Sequence, residues 1–491
     1  MKSSRIRHSL FNDEKSDDNQ DQPDKGAHSI KCLFTDDDFY ATLSTYLMMF
    51  ITSQLFGSGH NSHHMIGYIT TMMVVIRIIE IIFDPIIGGI VDNTQTKWGK
   101  FKPWLLVGAA VSSIMLMLIF TNFGGLTTKN PTLYLILFGV AYVILDIFYS
   151  FKDISLWSML PALEIDSKDR SKFGTIGRLG STLGAQGVAL VIMPAIALFS
   201  GWFGAKSGQK TSAGWFGFAI LIAAISFLGA LAVCLGTKEN DDLIRKQTKH
   251  VGVLEVFKVI AKNDQLVWLI VSYFCFALGY VITNNLFLYY FKYVLGKSGS
   301  FWLVGAITGV LGVISVLAYP FIAKLISRKG VYVGGIGLMF CGYIVFLFAD
   351  KSVILALVAI SLIFLPYPEI FLAALMTITD SVEYGQLKNG IRNESVSLSV
   401  RPLVDKVAGA ISNAMVGIIS VQAGMVGNAS PSSITTMQLL RFKSYMFYGP
   451  MVLIVLGAII YFFQVKLTEK KHAEIVSQLE EKLGKNYAQE D

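Results

Sequence analysis

The stretch "IRIIEIIFDPIIGGIVDNTQTKWGKFKPW", residues 76–104, carries Arg77, Glu80 and Asp84 inside an almost pure hydrocarbon run, then turns at once into a polar, basic, glycine-punctuated segment. At about 100° per helical residue, Glu80 lies about 60° and Asp84 about 20° from Arg77, so the three share one face. A charge at the centre of a membrane helix costs roughly 2.5–3.5 kcal/mol on an insertion scale. That face must therefore look at a wet or mutually paired interior.

Composition says that the helix is a membrane helix. Hydrophobic residues make up 53% of the 491 positions and charged residues 15%, with a mean hydropathy of +0.55. Soluble domains are about a quarter charged. Twelve apolar segments follow one another at about 38–57, 66–91, 104–121, 132–160, 174–200, 215–236, 266–291, 300–325, 331–349, 352–378, 396–421 and 443–466. Backbone amides in lipid must be satisfied within their own segment, so each reads as a helix and the chain as an all-α membrane protein.

The longest polar connection, 236–265, divides six spans from six. The expected organisation is a disordered tail (1–35), a six-helix half (36–236), a middle loop (237–265), a second half (266–466) and a tail (467–491) whose 466–486 stretch forms an amphipathic helix. Loops after spans 2, 4, 6, 8 and 10 hold Lys97, Lys100, Lys102, Lys168, Arg170, Lys172, a cluster from Lys238 to Lys262, Lys324, Arg328, Lys329, Lys388 and Arg392. The opposite loops hold only Lys129, Lys206, Lys210, Lys297 and Lys351. The positive-inside rule then puts both termini in the cytoplasm of a multi-pass cell-membrane protein. The net charge of +7 follows from the same pattern, so nucleic acid is not a partner. No cleavable signal peptide is expected, and Cys32, Cys234, Cys275 and Cys341 are too scattered for a disulfide framework and read as buried thiols.

A faint repeat links "DPIIGGI" (84–90) at the end of span 2 with "YPFIAKL" (319–325) at the end of span 8. Two similar six-helix halves are the plan of a rocking transporter with its site between them. Tyr319 stands where the first copy has Asp84, which assigns the charge chemistry to the first half. Further intramembrane charges are Asp146, Lys152 and Asp153 on span 4, with Trp157 one turn on, Arg178 on span 5, and Arg401, Asp405 and Lys406 on span 11. A salt bridge between helices accounts for any one pair, such as Asp405 with Lys406 or Arg401. The concentration of acids on spans 2 and 4 points instead to a small cation, which needs hard oxygen donors or a protonatable site. Arg77, Asp146, Lys152, Arg401 and Asn284 are expected to gate or to pair helices.

At these residues the sequence resembles the glycoside–pentoside–hexuronide:cation symporters of the major facilitator superfamily, the melibiose permease type. "DPIIGGIVDNTQTKWGKFKPW" (84–104) carries the likeness, with "KDISLWSMLPAL" (152–163) and "DSVEYGQLKNGIRNES" (380–395) as second and third matches. The resemblance implies alternating-access symport of a glycoside, disaccharide or pentoside with a monovalent cation, by a functional monomer. It implies that Glu80 and Asp84 bind the coupling cation, with Lys406 close by and Asp153 between cation and sugar. It implies that Asp38 and Arg178 bind sugar hydroxyls and that Trp157 stacks on the pyranose ring. Two departures from the melibiose-type pattern, Glu80 for aspartate and Lys152 for an apolar residue, favour a proton over sodium. Some relatives carry a regulatory phosphotransfer domain after the tail, which this chain is expected to lack.

Other features stay open at the level of sequence. Asp38 follows Thr35, Asp36 and Asp37 and also suits the cap of span 1. The loop "GHNSHHM" (59–65) reads as solvated rather than as a metal site, and no structural metal is expected. "TNNLF" (283–287) offers two amides to sugar or to a neighbouring helix. Glu369, in the doubly kinked "LPYPEI" (365–370), is a candidate second acid facing the cavity. A carrier of lysolipid or another amphiphile is the alternative reading, opposed by Asp38, Arg178 and Trp157. An enzyme is disfavoured because no nucleophile–base pair, metal-ligand spacing or phosphate loop is present, and no cofactor beyond the coupling ion is implied.

Overall fold

A computed structural model of the chain describes residues 46–55, 60–206, 209–239, 255–350, 352–425 and 431–490. Among them all regular structure is helical. The first span is described only as α1 (Leu47–Phe50) and a π turn, Ile51–Leu55. Then come α2 (His60–Asp92), α3 (Lys102–Ile119), α4 (Pro131–Ser158), α5 (Ser167–Trp202), α6 (Ser212–Gly236) and α7 (Asp264–Tyr289). The long helix Trp302–Leu347 breaks at Ser327 (φ 64°, ψ 161°) into α8 (302–326) and α9 (328–347). That conformation is reserved almost entirely for glycine and costs on the order of 1–3 kcal/mol, and it turns the chain with hardly a loop. α10 comes in two pieces, Val353–Phe364 and Tyr367–Asn389, split at Leu365 and Pro366, where proline removes a helical donor. α11 (Glu394–Gln422), α12 (Gly449–Gln464, preceded by Thr436–Lys443) and α13 (Glu469–Glu490) complete the order.

Among the described residues eight helices are long and apolar enough to cross a membrane, with Trp302–Leu347 counted once, or nine if the bent α5 is one span. α2, at 33 residues, is long enough but interrupts its apolar run with three charges. It is apolar outside and charged inside: Ile78, Ile79 and Ile82 are 55%, 48% and 58% exposed, while Glu80 and Asp84 are 5% and 0% exposed.

The two halves have different cores. The second half packs one continuous apolar cluster, with Tyr319 buried in it. The first half is split. Ile76, Phe138, Leu145 and Ile222 belong to one cluster, and Ile87, Leu105, Phe151 and Val233 to another. Between these clusters along the same helices lie the buried Glu80, Asp84, Asp146, Ser150 and Lys152, with Ser112, Ser113 and Ser226. The polar layer is what positions the site.

The halves meet closely at the Lys/Arg-rich end. A Cβ on Gly88 of α2 would come within 2.7 Å of the Ser395 carbonyl oxygen on α11, so glycine permits that approach. The middle loop contributes a short helix, Val256–Lys262, whose Val256 is buried with Val396 over the same seam. α13 begins slightly later and ends slightly later than the expected 466–486 helix, and its Ile475, Leu479 and Leu483 pack with Ile165, Tyr384 and Leu387. Of the thiols, Cys275 is buried and Cys234 half-buried, but Cys341 is exposed, contrary to expectation, because its position on α9 points away from the core. The 1–35 tail, Cys32, Asp38 and residues 240–254 of the middle loop lie outside the described residues.

Candidate functional site

Lys406 of α11 reaches from the second half into the polar layer of the first. Its Nζ donates to Asp84 Oδ1 at 2.9 Å and Ser150 Oγ at 3.1 Å, and lies 3.3 Å from Glu80 Oε2. Arg77 Nη1 is 3.6 Å from the same Glu80 oxygen. Asp146, one turn before Ser150 on α4, is 2% exposed and interacts electrostatically with both Lys406 and Arg77. Both Glu80 oxygens, Asp84 Oδ2 and Asp146 Oδ2 are buried and accept no hydrogen bond from the described residues. Burying carboxylates without full pairing is costly, and such groups mark sites that a cation can complete.

A second cluster lies beside the first, joined to it by Asp153, whose charge also acts on Asp84. The Trp157 indole N–H donates to Asp153 Oδ1 at 3.0 Å, and Arg401 Nη2 of α11 binds Asp153 Oδ2. Arg401 also sits 3.7 Å from Asp405 Oδ2, and Asp405 Oδ1 accepts from Tyr273 Oη at 3.0 Å. The Arg178 guanidinium lies 4.2 Å from the Phe371 ring centre and 5.9 Å from that of Tyr367. Phe371 meets Trp157 edge-on at 6.4 Å. Alternating guanidinium, carboxylate and aromatic groups are the chemistry that grips a polyol with one apolar ring face.

Several expectations need correction. Lys152 is next to Asp153 in sequence but about 100° away on the helix, so its Nζ leaves the cluster and donates to Ser226 Oγ of α6 at 2.5 Å. It pairs α4 with α6, while Lys406 is the lysine that meets the acids of α2. Asn284 is exposed, and it is its neighbour Asn285 that bridges helices, donating to Ser412 Oγ at 3.2 Å and Asn413 Oδ1 at 3.3 Å. Arg401 of α11 pairs with Asp153 of α4. Glu369 is buried beside Ser315 of α8, away from the Tyr367–Phe371 face.

Sequence reasoning missed the lock at the Lys/Arg-rich end. Asp92 of α2 accepts from the backbone N–H groups of Ser395 (3.0 Å) and Val396 (2.9 Å), capping α11 from the other half, and binds Lys100 Nζ at 2.6 Å. Arg170, wholly buried at the start of α5, binds Asp380 at 3.1 Å and Glu383 at 3.0 Å on α10. Arg392 binds Glu383 at 3.0 Å, Glu394 at 2.7 Å and the Pro161 carbonyl at 3.3 Å. Arg328 binds Asp380 at 2.7 Å, while His472 of α13 lies 3.3 Å from Glu383. These residues lie in the quoted motifs or the basic loops, where the positive-inside pattern already accounted for them.

The geometry has counterparts among known proteins. Residues 37–469 match the family model described as MFS/sugar transport protein. The chain is 45% identical over 456 residues to a lactose permease of Lactobacillus delbrueckii subsp. bulgaricus, covering 93% of this chain and 72% of that one. It is 46% identical to a raffinose carrier protein of Pediococcus pentosaceus, covering 90% and 69%. Its fold is similar to that of the Escherichia coli fucose:proton symporter, with a TM-score of 0.61 at 14% identity, covering 90% and 98%. The chain belongs to the MFS/sugar transport protein family, within the glycoside–pentoside–hexuronide:cation symporters, and is a multi-pass membrane transporter rather than an enzyme.

Proposed function

We propose that this sugar transporter is a proton-coupled symporter of galactoside oligosaccharides, acting as a monomer with both termini in the cytoplasm. The observation that carries the reading is Lys406 bound to Asp84 and near Glu80 across the boundary between the halves. An ammonium in that position already occupies the point where a metal ion would be shared by the two acids. Among the described residues no three acidic, histidine or cysteine side chains converge as metal ligands. A proton needs one carboxylate rather than a convergent cage, so the arrangement supports a proton over sodium. The galactoside assignment comes from relatives named for lactose and raffinose, both of which carry a galactosyl group.

One helix links the steps. α11 carries Ser395 and Val396 in the lock, Arg401 on Asp153 and Lys406 on Asp84. A proton on Asp84 or Glu80 cancels one charge opposite Lys406, an interaction worth roughly 4 kcal/mol at 4 Å and an effective dielectric of 20. That frees α11 to shift, which releases Asp92 from its N-terminus and opens the cytoplasmic end. Sugar binding at Asp153, Trp157 and Arg178 competes with Arg401 for Asp153 and weakens the same helix's hold. Movement of the loaded carrier then makes accumulation follow the ion gradient. The test is uptake of lactose and raffinose into proteoliposomes under an imposed pH gradient: accumulation of neither would overturn the galactoside reading.

A further inference from the structure

Resting on that reading of the cation site, we propose that Asp146 is its third carboxylate, and that the single negative charge it adds is what the coupling cation neutralises. Asp146 and Ser150 are one turn apart on α4 and so share a face, and Ser150 Oγ accepts from Lys406 Nζ at 3.1 Å. Asp146 therefore stands over the cation cluster. Its Oδ2 is buried and accepts no hydrogen bond from the described residues, as do Asp84 Oδ2 and both Glu80 oxygens.

Among the described residues, the charges that face this region can be counted helix by helix. α2 brings Arg77, Glu80 and Asp84, and α4 brings Asp146 and Asp153. α11 brings Arg401, Asp405 and Lys406, and α5 brings Arg178. Lys152 faces Ser226 on the other side of α4. Around the described sugar candidate residues (Asp38 is not among them), Asp153 and Asp405 balance Arg401 and Arg178. Around Lys406, among the described residues, three carboxylates (Glu80, Asp84, Asp146) oppose two cations (Arg77, Lys406). The imbalance of one is set by Asp146, since Glu80 and Asp84 alone would be neutralised by Arg77 and Lys406. An uncompensated charge in a buried layer is costly, and a carrier crossing the membrane lowers that cost by taking up one positive charge. Because the three acids do not converge as metal ligands, the charge is met by a proton shared within the cluster.

The test compares parent, Asp146→Asn and Asp146→Glu in proteoliposomes, reading lactose accumulation under an imposed proton gradient, lactose exchange at equilibrium, and protons taken up per sugar. The parent is expected to move one proton per sugar. Asp146→Asn should lose accumulation at least tenfold while exchange stays measurable, and Asp146→Glu should recover most of the accumulation. Undiminished accumulation in Asp146→Asn overturns the proposal, as does an equal fall of accumulation and exchange in both variants, which marks a merely structural residue. A parent that moves lactose with no cation dependence defeats the symport reading and this proposal with it. A symporting parent beside an unaffected Asp146→Asn defeats this proposal alone.

Discussion

Lys406 Nζ lies 2.9 Å from Asp84 Oδ1, a bond between residues 322 positions apart that ties α11 of the second half to the polar layer of the first. Removing one partner of a buried pair strands the other, at a cost of about 3–5 kcal/mol, whereas removing both does not. Asp84→Asn and Lys406→Met should each lower the melting temperature of the purified protein, and the double variant should be more stable than the sum of the two losses predicts. Thermal unfolding in detergent measures it, and strict additivity would show the pair to be uncoupled.

Trp157→Ala and Arg178→Ala should each weaken sugar binding at least tenfold while leaving the helix content unchanged. Both side chains face the cluster around Asp153 and Phe371. Calorimetric titration with lactose reads the effect, and parental affinity in both variants would remove them from the site.

Much of this site was legible because charges in a hydrocarbon run announce themselves without reference to any partner: Glu80, Asp84, Asp153 and Lys406 stand out in that way. What failed was inference from adjacency. Asn284 sits beside Asn285, which points where Asn284 was expected to point, and a step of one residue on a helix rotates a side chain by about 100°. The break at Ser327 carries no sequence signal, since a serine is not the residue such a backbone selects. The lock stayed hidden for another reason. Arg170 and Glu383 are 213 positions apart, and each is ordinary for a cytoplasmic loop or helix end until the halves are brought together.

Breaking the lock should open the Lys/Arg-rich end. Asp92→Ala removes the cap on the Ser395 and Val396 amides and the partner of Lys100. Spin labels at Thr96 and Lys388 should report longer distances in Asp92→Ala than in the parent, and Gly88→Val should act in the same direction by prising α2 from Ser395. Unchanged distances in both would mean that other contacts hold this end.

α13 braces the same lock through His472 on Glu383 and Glu469 on the Arg328 backbone N–H at 2.9 Å. Truncation after Thr468 should lower the melting temperature by several degrees and raise the rate of sugar exchange, with sugar affinity within about twofold of the parent, because the described apolar face of α13 packs on Ile165, Tyr384 and Leu387 rather than on the sugar cluster. An exchange rate and stability equal to the parent's would show that α13 is an idle appendage.

The central claim, that Glu80 and Asp84 opposite Lys406 couple a proton to sugar, is tested most directly by lactose uptake into energised proteoliposomes, with and without sodium, while external pH is recorded. The account predicts sodium-independent accumulation accompanied by sugar-linked alkalinisation outside, with accumulation abolished and some downhill flux remaining in Asp84→Asn. Sodium-dependent uptake without alkalinisation would contradict the proton assignment, and full accumulation by Asp84→Asn would contradict the site itself.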